Sequence, residues 1–315
     1  MAKIIYHCYG GSHSSVITAG IYLGILPKNR VASKAELLDV PHFDQKETVI
    51  HGRLRFIGRD IKGNEVLVLG KRMAGPDITV FLHNISELFS CREEIEAVDT
   101  TFPINPLMVI GGFLSRGLNL VTLGRPLVIL GTQIAYPYLV QIAEDAQNRI
   151  KQNLTPKCPS LPYQERPILL YICPQNDPLP LLLAGLHFAP DATDQQLLDW
   201  AVNMKFTGEL GAFKYLGKAE GYDLYLAGTG REPEIMARIL REIRTILEIP
   251  RIKLGIVHSP LKTPFLLKGI STARRFFSWS KLLLMLEKRA MAPLIKECRE
   301  IVYSTKISLR EGILD

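Results

Sequence analysis

Short apolar runs alternate with longer stretches of helical spacing along this chain of 315 residues. "KIIYHCY" (3–9) is a short apolar run that stops at two glycines, the pattern of a buried strand. In "SSVITAGIYLGIL" the residues Val16, Ala19, Gly20, Leu23 and Leu26 fall on helical spacing, with Ser14 or Ser15 as the N-cap. "GRLRFIGRDIKGNEVLVLG" predicts a hairpin around Lys62, Gly63 and Asn64 leading to a strong strand over 66–69. A helix over 77–89, a strand near 97–101 and a helix from 106 to about 118 follow, with Asn105 as a possible N-cap of the last. "RPLVILG" (125–131) reads as a further apolar strand, and "AYPYLVQIAEDAQNRIK" closes with a helix. Strands alternating with helices predict an α/β fold with a largely parallel sheet covered on both faces.

The pattern then repeats. "IIYHCYGGSHSSVITAGIYLG" from Ile4 runs beside "LLYICPQNDPLPLLLAGLHFA" from Leu169, so that Cys8 meets Cys173 and Gly20 meets Gly185. "ELLD" at Glu36 matches "QLLD" at Gln196, and "FIGRDIKGNEVLVLG" matches "YLGKAEGYDLYLAG". "PLMVIGGFLSR" pairs with "TPFLLKGISTA", and "PLVIL" with "KLLLM". A collinear repeat of this kind predicts two tandem, diverged copies of one three-layer, mostly parallel-sheet domain of P-loop-like or Rossmann-like kind. The copies span 1–153 and 166–303, with a Pro-rich linker over 154–165 and a tail over 304–315.

Composition narrows the class. Hydrophobic residues make up 47% and charged residues 22%, as in a soluble globular protein, and no run of about 18 apolar residues stands out. No secretory leader is visible at the N-terminus. The five cysteines are spread without a CxxC pair, which points away from a disulfide framework or structural zinc and towards a reducing cytoplasm. The net charge of +7 is uneven: 251–315 holds 13 basic and 5 acidic residues, 13 − 5 = +8. That basic end reads either as a solvated surface or as an attractor of an acidic partner.

A strand, a glycine turn and a helix start together form an anion-binding arrangement, because the first helical amides are unpaired and the dipole end is positive. "CYGGSHSS" supplies Gly10 and Gly11 for close backbone approach and Ser12, Ser14 and Ser15 as hydroxyls. His13 adds a donor or a proton-transfer group. The likeness to a P-loop is partial, since the spacing GxxxxGK[ST] and its lysine are absent. "PHFD" places His42 and Asp44 in a loop, suited to an acid–base pair or, with His13, a metal site. Arg116 suits an anionic ligand, and Thr132 stands where the strand 125–131 ends. The second copy keeps the apolar frame but reads "PQNDPLP" at the loop, with three prolines and Asp177, so the chemistry is expected in the first copy only. Cys8, matched by Cys173, reads as frame, a small buried hydrophobe, in preference to a nucleophile. "RRFFSWSKLLLMLEKR" has the look of a basic amphipathic membrane helix. Its alignment with "PLVILG" makes it instead a core strand flanked by basic turns, so neither a membrane nor a nucleic-acid partner is expected.

"YHCYGGSHSSV", "PHFD" and "GGFLSRGLNLVTLGRPLVILGT" onward to Ala135 and Tyr136 resemble a family of uncharacterised bacterial proteins, best known from spore-forming Firmicutes. That family is usually a single domain about as long as one copy. The resemblance covers the first copy and implies a bacterial, cytoplasmic protein with the loop as signature; it implies no known reaction and leaves any cofactor open. The expectation is therefore a small anionic ligand bound at the loop, with acid–base chemistry by His13, His42 and Asp44. The alternative is a non-catalytic interaction protein, its two copies packed together, with a basic surface.

Overall fold

The computed structural model describes residues 1–45, 50–75, 78–89, 95–152 and 167–311, apart from the side chains of Arg116 and Gln152. The expected linker over 154–165 lies outside the described residues. The chain divides into two compact units, Met1–Ser160 and Leu161–Asp315.

The first unit runs β1 (Lys3–Cys8), α1 (Ser14–Tyr22), α2 (Lys34–Asp39), β2 (Leu54–Arg59), β3 (Glu65–Gly70), α3 (Ile78–Leu88), β4 (Ile95–Asp99), α4 (Pro106–Gly112) and α5 (Val121–Gln152). Its sheet has the order β2-β3-β1-β4, with β1 parallel to β3 and β4 and only β2 antiparallel. β1 is central, and all six of its residues are buried, which is why it is an unbroken apolar run. Ile4 and Tyr6 share a core with Val16 and Ile17 of α1 and Val128 and Tyr136 of α5. His7 faces the other way and meets Thr79 of α3. Helices therefore cover both faces, as the alternation of elements predicts. The 62–64 turn is held by the Asp60 carboxylate, which accepts from the amides of Lys62 and Asn64, and Gly63 takes φ +81°.

The second unit runs β5 (Ile168–Pro174), α6 (Leu179–Phe188), α7 (Asp194–Asn203), β6 (Phe213–Ala219), β7 (Tyr222–Gly230), α8 (Pro233–Ile246), β8 (Leu254–Val257), α9 (Phe265–Phe276), α10 (Lys281–Met291) and α11 (Ile295–Arg310). Its sheet order is β6-β7-β5-β8, with the same strand directions. The register breaks between Phe56 and Gly58 on β2, and between Tyr215 and Gly217 on β6. Gly52 donates to the Gly70 carbonyl, and Gly211 to that of Gly228. Both α2 and α7 open on a capping box, Ser33 with Glu36 and Thr193 with Gln196. Residues 304–310, expected in a tail, complete α11.

Two expected strands are helices. "PLVIL" lies inside α5 and "KLLLM" inside α10. A short apolar run cannot be told from a buried helical segment by periodicity alone. In α5 the buried positions Val128, Ile129, Thr132, Ala135, Tyr136, Leu139, Ala143 and Ala146 continue one helical stripe across the expected strand end. α5 is long and apolar enough to cross a membrane by length and composition, although this stripe belongs to the core. The helix expected over 106–118 is α4 followed by a π-helical turn, Phe113–Gly117. Asn105 caps α4, accepting from Met108 N at 3.2 Å, and its amide also reaches the Gly131 carbonyl at 2.7 Å.

Glycines let α4 and α5 touch. A Cβ on Gly124 would stand 2.4 Å from Ser115 N and 2.5 Å from Gly111 O. Gly124→Ala is expected to destabilise the protein by about 2 kcal/mol, despite the better helix propensity of alanine. Gly10→Ala, where a Cβ meets nothing within 4 Å, is expected to be nearly neutral. Urea unfolding of the two variants checks both values.

Candidate functional site

The glycine turn sits where β1 ends and α1 begins. Gly11 takes φ +67°, and a Cβ there would lie 2.5 Å from Gly70 N. The loop thus rides on the end of β3, backbone against backbone, and Gly11 is required by the fold itself. Gly10 stands on the open side of the loop. The Arg55 side chain of β2 donates to the Gly11 carbonyl and reaches Ser12 Oγ at 3.5 Å.

The three serines differ from the expected cradle. Ser12, Ser14 and Ser15 are buried. Ser12 Oγ donates to the Gly10 carbonyl at 3.2 Å. Ser14 Oγ lies 3.2 Å from Thr100 Oγ1, and Ser15 Oγ lies 3.2 Å from Cys8 Sγ. Neither Ser14 nor Ser15 caps α1; His13 is its N-cap residue, without a side-chain capping bond. The hydroxyls shape the loop from within.

Cys8 is buried, as the frame reading expects, and it also gathers hydrogen-bond donors. Gly11 N donates to its sulfur at 3.1 Å. Burial pushes the Cys8 thiol up, but the hydroxyl and amide of Ser15, the Ser14 hydroxyl and the Gly11 amide outweigh it, so its pKa falls below the ordinary thiol value. Cys173 at the matching place is pushed well above that value by burial, with the Asp177 carboxylate adding to the rise. Burial also carries Cys298 up to about 12. The available signal was position: a cysteine just before a helix start is where helix amides favour a thiolate.

His13 and Asp44 are brought together, with Nε2 3.3 Å from Oδ1. The Asp44 side chain is fully buried while that of His13 is 16% exposed, so the pair joins interior to surface. Ser115 Oγ donates to Asp44 Oδ1 at 3.2 Å, and Arg125 Nε to Oδ2 at 2.8 Å. Arg125 also donates to the Asp44 carbonyl at 3.0 Å. Asp44 sits at φ +45° and His42 at φ +67°, so two left-handed residues bend this loop inward. Phe43 between them meets the His13 ring edge-on, with centroids 5.9 Å apart. Gly112 of α4 lies close to that ring, where a Cβ would be 3.3 Å from Cε1.

Other expected site residues stand elsewhere. Thr132 is fully buried on the core stripe of α5 rather than at a strand end, and its hydroxyl has no hydrogen-bond partner among the described residues. The Arg116 side chain lies outside the described residues. Arg125, which the sequence reading placed in a strand, supplies the cation instead. The partners of Asp44 are hydrogen-bond donors, and among the described residues no group of three or more His, Cys, Asp or Glu could hold a metal ion. The arrangement can orient one imidazole for proton transfer: a carboxylate on one ring nitrogen fixes the position of the ring and its tautomer.

A second polar cluster lies on the opposite face of the sheet. His7 Nε2 is 3.1 Å from Thr79 Oγ1 and Nδ1 is 3.8 Å from Asp99 Oδ1. Lys71 Nζ donates to Asp99 at 2.5 Å. A cavity of about 360 Å³ beside it is lined by Thr79, His83, Glu96, Asp99, Asp145 and Arg149 among others. Burial, then Lys71 and His83, lower the His7 pKa to about 3 against the pull of Asp99.

Two titrations test these environments. In ultraviolet thiolate titration, Cys8→Ser is expected to remove the component that ionises below the ordinary thiol range, while Cys173→Ser leaves it. For His7, the unfolded chain takes up a proton below about 6.5 that the folded chain refuses until about 3. Its contribution is therefore complete above 6.5 and is lost as pH falls towards 3. His7→Gln, which keeps a donor for Thr79, is expected to flatten the fall of the unfolding free energy from urea titrations between these limits by up to about 1.4 kcal/mol per pH unit.

No curated protein and no solved structure matches the chain. The part that carries the glycine loop, His13, Asp44 and Arg125, residues 3–148, matches the family described as "Protein of unknown function (DUF3189)".

Proposed function

We propose that the first unit binds a small phosphate-bearing or other anionic ligand at the junction of β1 and α1, and that His13 exchanges a proton with it. The observation that carries this reading is the His13–Asp44 pair at the first turn of α1. Burying a carboxylate and holding it with Arg125 and Ser115 is costly unless the geometry is useful, and here it fixes one imidazole at the positive end of a helix. Arg55 and Arg125 add positive charge beside the loop. The same reading takes the two units as diverged copies of a P-loop-like scaffold in a reducing, cytoplasmic setting. The shared strand order, the matched register breaks and the paired capping boxes support the duplication. In the second unit, Asp177 already puts its own carboxylate on the Leu179 amide at 3.0 Å, and an incoming anion would meet that charge.

A second reading is favoured by the donors gathered on Cys8. Its thiolate sulfur would bond to the phosphorus of a bound phosphomonoester, the bond to the leaving oxygen would break, and the His13 imidazolium would give that oxygen its proton. Water would then cleave the sulfur–phosphorus bond and restore the thiolate. Acid-quenched intact mass spectrometry distinguishes the readings: a phosphoryl adduct lost in Cys8→Ser supports the second, and binding without an adduct leaves the first.

Calorimetry and thermal shift with inorganic phosphate and a nucleotide panel test the site. One ligand per chain is expected, with affinity lowered about tenfold or more in His13→Asn and again in Arg125→Gln. Binding unchanged in both folded variants, or two ligands per chain, would overturn the assignment.

A further inference from the structure

We propose that the turn between α9 and α10 docks the second unit on the surface of an anionic lipid bilayer. The expectation of a core strand here fails, and with it the reason for setting a membrane aside: Lys281–Met291 is a helix that packs on α9 across a short turn. The turn carries Phe276, Phe277 and Trp279 at 75%, 53% and 81% exposure, followed by Leu282 at 61%. Phe277 and Trp279 meet edge-on, with centroids 6.5 Å apart, so they order each other while both stay open to solvent. Aromatic surface of this size on a soluble protein marks an interaction site, and Trp and Phe are the side chains that settle at the headgroup level of a bilayer.

The turn is braced from behind. Arg274 is bonded to Glu287 and to the Val202 carbonyl, and Ser271 Oγ donates to Glu287 at 2.6 Å. Ser280 caps α10 by accepting from Leu283 N at 3.3 Å. The aromatic side chains are therefore presented by a fixed support, and little order remains to be imposed on docking.

Charge selects the partner. Between residues 265 and 291 stand six cations, Lys268, Arg274, Arg275, Lys281, Lys288 and Arg289, and one acid, Glu287. Arg274, Arg275 and Lys288 are engaged by carboxylates, but Lys281 and Arg289 have none within 4 Å among the described residues. Leu282, Met285 and Arg289 share one stripe of α10 by their spacing, so apolar and cationic groups flank the same exposed face. An aromatic tip, an aliphatic stripe and unpaired cations together match an anionic interface, into which the apolar groups sink while the cations meet lipid phosphates. With 11 residues α10 is too short to span a bilayer, so the docking is peripheral.

The test uses the full chain and vesicles of phosphatidylglycerol mixed with phosphatidylcholine. Co-sedimentation is expected with these vesicles, weakened by salt and nearly absent with phosphatidylcholine alone. In Trp200→Phe, Trp279 becomes the sole reporter, and its emission is expected to shift to the blue on vesicle addition. Phe276→Ser, Phe277→Ser and Trp279→Ser together are expected to weaken binding about tenfold or more with circular dichroism unchanged. Lys281→Glu with Arg289→Glu is expected to abolish the preference for the anionic lipid. Equal binding to both vesicle types, undiminished binding by the triple serine variant, or tighter binding to a single-stranded RNA oligonucleotide than to the vesicles would overturn the proposal. So would concentration-dependent self-association that the triple variant loses while vesicles are ignored.

Discussion

The contact of Gly11 on Gly70 is the constraint from which the first unit's site is built. Two backbones pass so closely that a methyl group on Gly11 would enter the Gly70 amide, and one on Gly70 would stand 2.8 Å from Gly10 O. Because the loop is pressed down on the end of β3, α1 starts directly above the end of β1. That brings the amides of Gly11 and Ser15 over Cys8 and sets His13 at the first turn. An exchange of Gly11 for a β-branched residue, natural as a probe of ligand binding, would therefore damage the fold first. The second unit meets the same demand differently: a Cβ on Gly228 would be 1.9 Å from Glu209 O, so the end of β7 is covered by the 208–211 loop.

The second constraint is the buried Asp44. A carboxylate with no solvent contact must be paired, and its partners come from distant parts of the chain: His13, Ser115 and Arg125. The pairing ties the loop that ends at Asp44 to α1 and to the α4–α5 hairpin. That hairpin can approach only because Gly111, Gly124 and Gly131 carry no side chain. Packing of small residues far from the loop thus decides where Arg125 stands, and Arg125 decides which way Asp44 faces His13.

Much of this was legible in the sequence. The strand–glycine–helix junction, the 62–64 hairpin and the cap at Asn105 each follow from local chemistry, and local chemistry holds in the structure. The alternation of apolar and polar runs predicted helices on both faces of the sheet. What failed needed longer-range information. "PLVILG" and "KLLLML" fit a strand or a buried helix equally well, and only the stripe running on to Ala146 distinguishes them. That misassignment hid Arg125 and gave Thr132 a place at a strand end that it does not have. His13 and Asp44 could be named as candidates by residue type, but their partnership depends on a loop turned inward through two left-handed residues. The match of Cys8 to Cys173 shows a shared buried position, but matching positions share a frame without sharing electrostatics.

That last point carries the comparison of the two units furthest. Both place a cysteine under the start of a helix, in sheets of the same strand order. In the first unit the helix-start donors turn to the sulfur and lower its pKa, and the loop above carries no acid. In the second, the Asp177 carboxylate takes the Leu179 amide and the Thr263 hydroxyl, at 3.0 and 2.6 Å, and adds to the rise that burial imposes on the pKa of the Cys173 sulfur. The positive end of a helix tolerates one negative charge far better than two, so whichever anion the chain itself supplies excludes a second. The first unit's helix start gathers its donors on the Cys8 sulfur, whereas the second gives the Leu179 amide to Asp177. Two sheets of one strand order thus set different groups against the helix start, a thiol in the first unit and a carboxylate in the second.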